Sequence, residues 1–242
     1  MDTSIYIALS RQLLQFDDMA MTSNNIANIN TPGYNAQRMV FNQYLVDNGH
    51  TGKKDAYADA PTSYRDTSNG ATKTTNNPLD LAISGNAYFQ VETPLGTRFT
   101  KAGNFQLDAN GMMVNSDGYP VLGADGAPVS LPPSTKKIEI NGAGQILADG
   151  NGVGQVGVMA FENEQSMKRL GNSLYSSEEE PQVSQTARVV QGAIESSNVN
   201  GVTELVRVMQ LSRSVGNTSK FIETMYDLER KSSTTLAQKK QA

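Results

Sequence analysis

The two ends of this 242-residue chain carry apolar residues at the spacing of a helix face. Over residues 3–30, Ile5, Leu9, Gln12, Phe16, Met19, Ser23, Ile26 and Asn30 follow alternating steps of four and three. Leu13, Ala20 and Ala27 widen that face. The pattern predicts an amphipathic helix about 40 Å long. Near the other end, Leu205, Val208, Ser212, Val215, Ser219, Ile222, Tyr226 and Leu236 share a second track, which predicts a helix from about Gly201 to Leu236. Polar residues interrupt both seams, which costs stability but fixes register and partner. Alone in water such helices are marginal. Both seams are therefore expected to be buried by association, with each other and with other chains.

The N-terminal pattern stops abruptly. Pro32 lacks the amide hydrogen that a helix needs and pushes Thr31 towards an extended backbone. Gly33 supplies a turn that a bulkier residue resists. Asn24, Asn25, Asn28 and Asn30 are mediocre helix formers crowded into the last turns. Their amides donate and accept at once, which suits contact with other polypeptide. A frayed polar helix end is the plain alternative.

Between the ends the character changes twice. From Val40 to Pro78 periodicity fades, and a mostly irregular connector is expected, with an extended stretch at Thr62–Arg65. Beyond it, short β-forming runs recur: Leu81–Ser84, Tyr88–Glu92, Lys137–Ile140 and Gln155–Phe161 among them. Asn110-Gly111, Asp117-Gly118, Asp125-Gly126, Asn141-Gly142 and Asp149-Gly150 separate such runs, the signature of antiparallel hairpins. Glu162–Arg169 is expected to form a short helix, and Arg188–Ile194 a last strand. The fold class expected is α+β: a central antiparallel all-β domain with long amphipathic terminal helices that pair into a coiled-coil-like assembly domain. The divisions are 1–35 (assembly helix), 36–78 (connector), 79–195 (β-domain, closing strand 188–195) and 196–242 (assembly helix).

Composition excludes several functions. A net charge of −4, without a basic tract beyond Arg230-Lys231 and Lys239-Lys240, speaks against nucleic-acid binding. With no Cys there is no disulfide, thiolate nucleophile or Cys-based metal site. The opening apolar run is too short for a signal peptide, and no window approaches the ~20 apolar residues of a membrane span. The single histidine, His50, lacks partners for a triad or metal and reads as a surface residue. Gly152–Gly157 fits G-x-G-x-x-G, but a β-type run follows instead of the helix that a dinucleotide site needs. Asp108–Gly111 reads as a hairpin turn, since Met112 occupies what would be a calcium-ligand position. No catalysis, cofactor or small-molecule substrate is expected.

Three segments resemble one family. Asn24-Asn25-Ile26-Ala27-Asn28 with Asn30-Thr31-Pro32-Gly33-Tyr34 is similar to the N-terminal motif of bacterial flagellar rod and hook proteins. The run Asn77–Phe89, continued by Phe99–Phe105, resembles the entry to that family's β-domain. Gln191–Asn200 resembles the start of its C-terminal helix. Asn86, where the family often has Gly, and Gly216-Asn217 within the last helix depart from the pattern. The likeness is nearest to the proximal rod members. It implies a structural subunit exported by the flagellar export apparatus without a cleaved signal. Such a subunit polymerises with itself and with proximal and distal rod subunits into the drive shaft that crosses the periplasm and transmits torque. Assembly contacts are then expected at the helical seam residues Ile5, Leu9, Phe16, Met19, Ile26, Leu205, Val208, Val215, Ile222 and Tyr226. The signature residues Asn24, Asn25, Asn28, Pro32, Gly33, Tyr34, Asn198 and Asn200 are expected to join them. Two alternatives stand: a distal rod or hook subunit of the same family, and a carbohydrate-binding or hydrolytic β-domain protein with helical oligomerisation ends.

Overall fold

The computed structural model describes residues 2–40, 43–47, 54–58, 62–132 and 135–239, so His50 lies outside the described residues. The chain divides into two compact units.

One unit combines residues 1–27, 37–64 and 200–242. Helix α1 (Asp2–Ala27) has 26 residues and helix α2 (Gly201–Lys239) has 39. At the head of α2, the Asn200 side-chain oxygen accepts the Thr203 N–H at 3.1 Å, and its carbonyl accepts the Glu204 N–H at 3.0 Å. That N-cap satisfies two of the four amides a helix start leaves open. Helix α1 stops at Ala27, three residues before the apolar track runs out at Asn30. The asparagines and Pro32 explain the early stop, since both disfavour another helical turn. The connector is more regular than expected. Gln37–Val40 pairs with Thr62–Arg65, and Gln43–Asp47 pairs antiparallel with Lys54–Ala58. Backbone ladders formed there without the apolar alternation that announces a strand in sequence.

The other unit comprises residues 28–36 and 65–199 and is built on antiparallel sheets. Its six-stranded sheet runs in the spatial order Lys168–Gly171, Leu174–Ser176, Gly96–Thr100, Tyr88–Thr93, Val158–Ala160 and Gln182–Val183. Ile138–Ile140, Gln145–Ala148 and Asn151–Gln155 form a three-stranded sheet, and Leu81–Ser84 pairs with Arg188–Gln191. Leu81, Phe89, Val91, Met113, Val121 and Ile146 are buried in the shared core. A second cluster packs Tyr88 and Phe99 edge-on to Phe161, with ring centroids 5.9 and 4.8 Å away.

Turn chemistry explains the hairpins. Asp149 and Gly150, at φ 51° and 86°, make the mirror-image turn that matches strand twist. Asn172 and Ser173 do the same at φ 47° and 55° without a glycine, so sequence reading missed that hairpin. Asp108 caps its turn by accepting the N–H groups of Asn110 and Met112, each at 2.8 Å. Two expectations are corrected. Glu162–Arg169 is no helix beyond the single turn Glu164–Ser166, because the chain enters the edge strand at Lys168. The closing strand is broken at Gly192 (φ 74°), and its second half, Ala193–Glu195, pairs with Thr72–Thr74.

Candidate assembly surfaces

Polar side chains link the two helices. Gln12 donates to the Ser219 hydroxyl and Gln15 to that of Ser214, both at 2.7 Å. Arg207 donates to both carboxylate oxygens of Asp18, at 3.0 and 3.1 Å. Partners on α2 recede as α1 advances, so the helices run antiparallel. Fully buried Glu204 receives Arg38 at 3.0 Å. Asn25 replaces a strand partner for Gln37, donating to its carbonyl at 2.8 Å and accepting its N–H at 3.0 Å.

The buried track on α1 is Ala8, Gln15, Asp18, Thr22 and Asn25. It lies one residue behind the apolar track of Leu9, Phe16, Met19, Ser23 and Ile26. One residue is about 100° around a helix, so the apolar track points substantially elsewhere. Leu9 is 45% exposed, Phe16 49%, Leu205 54% and Tyr226 65%. Ile5, Met19, Ile26, Val208, Val215 and Ile222 are half-buried, and Asn24 and Asn200 are exposed. A surface so rich in large apolar side chains is unusual for a solvent-facing helix and marks a contact.

The remaining signature residues are used inside the β unit, where Asn28 and Pro32 are half-buried and Gly33 and Tyr34 buried. Asn198 joins three chain segments. Its oxygen accepts the Ala36 N–H at 2.7 Å, and its amide donates to the carbonyls of Asp66 and Ser68, each at 2.9 Å. Its own N–H reaches the Tyr34 carbonyl at 3.2 Å. Arg169 stacks on the Tyr34 ring at 4.1 Å. Asn198→Ala strands the Ala36 N–H, while Asn35 still donates to the Asp66 and Ser68 carbonyls at 3.0 and 3.4 Å, and a loss of about 2 kcal/mol is expected in urea unfolding. A loss within error would show that water replaces the amide.

Beneath this knot lies a charge pair that sequence reading missed. Lys101 is fully buried, with its ammonium 2.7 Å from the Asn69 oxygen and 3.9 Å from the Glu195 carboxylate. Burial lowers the pKa of Lys101, opposed by Glu195. Burial likewise raises the pKa of Glu195, opposed by Lys101 and by the Gly70 N–H that its carboxylate accepts at 2.9 Å. Alongside, Arg65 lies over the Tyr175 ring at 4.3 Å, and the Tyr88 hydroxyl donates to Glu164 at 2.9 Å. Among the described residues no group of three or more His, Asp or Glu side chains is placed to hold a metal ion.

Three family models match the chain. The flagella basal body rod protein model covers residues 5–35 and the flagellar hook protein FlgE/F/G D1 domain model residues 82–148. The flagellar basal body rod FlgEFG protein C-terminal model covers residues 190–235. Flagellar basal-body rod protein FlgF of Rhizobium meliloti is 34% identical over 90% of this chain and 90% of its own length. FlgF of Mesorhizobium japonicum is 32% identical, over 90% and 91% respectively. FlgG of Bacillus subtilis is 30% identical, over 91% and 94%.

Proposed function

The chain belongs to the flagellar basal-body rod protein family, and on that premise we propose that it is a structural subunit of the proximal rod. It polymerises helically into the shaft that carries torque across the periplasm. The observation that supports this reading most is the division of labour on the terminal helices. Polar groups link α1 to α2, and a set of large apolar side chains, Tyr6, Leu9, Leu13, Phe16, Leu205 and Tyr226 among them, is exposed. Contacts between unlike faces do not close on themselves and so generate an open helical array. Residues 1–35 and 196–242 serve as the assembly region, completing a coiled-coil-like layer only with neighbours. Residues 36–78 connect it to the β-domain at 79–195. Its partners are further copies, other rod subunits and, in transit, the flagellar export apparatus. The role is structural, without catalysis or cofactor. Among the described residues no helix is long and apolar enough to cross a membrane.

Leu205→Asp tests this. The position is exposed, so the monomer should fold normally, and the buried carboxylate should lower incorporation into isolated basal bodies by about tenfold or more. Basal bodies holding the variant at wild-type amounts would refute the reading. A distal rod subunit of the same family is the second reading. Labelling the chain's position along the isolated rod separates the two.

A further inference from the structure

The outward faces of α1 and α2 have matching repeats. On α1, Tyr6, Leu13 and Ala20 recur every seven residues, with Leu9 and Phe16 between them. On α2, Val202, Met209 and Gly216 recur every seven, with Val206 and Arg213 between them. All ten positions are exposed. Gly216 is the anomaly among them. Glycine is the poorest helix former after proline. Apart from its chain neighbours and the helix's own backbone, no atom lies within 4 Å of where its Cβ would stand, so no packing contact within the described residues requires glycine there.

We propose that α1 of one copy packs antiparallel on α2 of a second copy, with the Tyr6 ring seated over Gly216. That register places Leu13 against Met209 and Ala20 against Val202, so a large side chain meets a small one at each end of the contact. Charge agrees with the match: beyond the Asp18–Arg207 and Arg38–Glu204 pairs within the chain, α1 carries two aspartates against one arginine, and α2 five Lys and Arg against three Asp and Glu. The direction also continues the antiparallel pairing within the chain. Each added copy in the same orientation extends the alternation of α1 and α2 and leaves a fresh face for the next.

The inference rests on the rod reading and specifies the partner face. Gly216→Leu should leave monomer helicity intact, with a thermal midpoint unchanged or higher. Its incorporation into isolated basal bodies should nevertheless fall about tenfold or more, because the seat for Tyr6 is filled. Tyr6→Ala added to Gly216→Leu should restore incorporation to within about threefold of wild type, since the volume is returned across the contact. Wild-type incorporation of Gly216→Leu would overturn the docking, as would a double variant no better than the single. Absence of the wild-type chain from basal bodies would overturn the rod reading and the docking together.

Discussion

Glu195→Gln is expected to destabilise the β unit by about 3–5 kcal/mol, measured by urea unfolding of the full chain. Glutamine keeps the shape and can still accept the Gly70 N–H, so the substitution removes charge and little else. It leaves the buried Lys101 ammonium with the neutral Asn69 oxygen as its close partner. Combining Glu195→Gln with Lys101→Met should recover most of the loss, because breaking one half of a buried pair costs more than replacing both. Lys101→Met alone strands the carboxylate instead. The folded-state pKa of Glu195 is already raised by burial, and losing the cation raises it further. A raised folded-state pKa favours the folded state at low pH and loses that advantage as pH rises through it. The Lys101→Met defect should therefore shrink on acidification towards the ordinary carboxylate range. A double variant as unstable as the worse single would show that the pair is not the source of the effect.

The second large effect belongs to Gly33→Ala. The backbone at Gly33 has φ 63°, where an L side chain is strained. A Cβ there would also lie 2.4 Å from the Ala102 nitrogen and 2.4 Å from the Lys101 carbonyl carbon. These are main-chain atoms that cannot swing aside, and the Gly33 N–H is bound to the Glu195 carbonyl at 2.9 Å. Strain and clash together should cost about 3 kcal/mol or more. Gly118→Ala is the comparison: its φ is 83° but nothing lies within 4 Å of the added carbon. It should cost only about 1–2 kcal/mol, the conformational part. Equal losses at both sites would mean that the close approach at Gly33 relaxes freely.

Much of the architecture was legible because its causes are local. Asp-Gly and Asn-Gly pairs announce hairpins, and an Asn before an apolar periodic run announces a helix start. Asn200 does the latter here. What stayed hidden depends on choices between partners. Sequence showed the apolar track of Leu9, Phe16 and Ile26 but not where it points. The chain instead turns Gln15, Asp18 and Thr22 inward. Serine and glutamine contacts such as Gln15 to Ser214 span 199 positions and leave no periodic trace. The Lys101–Glu195 pair was invisible for the same reason, since burial of a charge is decided by the whole fold. The signature residues resemble an assembly motif in sequence, yet Gly33, Tyr34 and Asn198 also hold together the entry and exit of the β unit.

The central claim is that the outward apolar faces become interior on assembly. Maleimide labelling of Leu9→Cys tests it directly, because the wild-type chain contains no cysteine. The purified monomer should label rapidly at this position, and basal bodies isolated from cells carrying the same variant should be protected. Equal labelling in monomer and basal body would contradict the account, since the face would then remain open to solvent in the assembled rod.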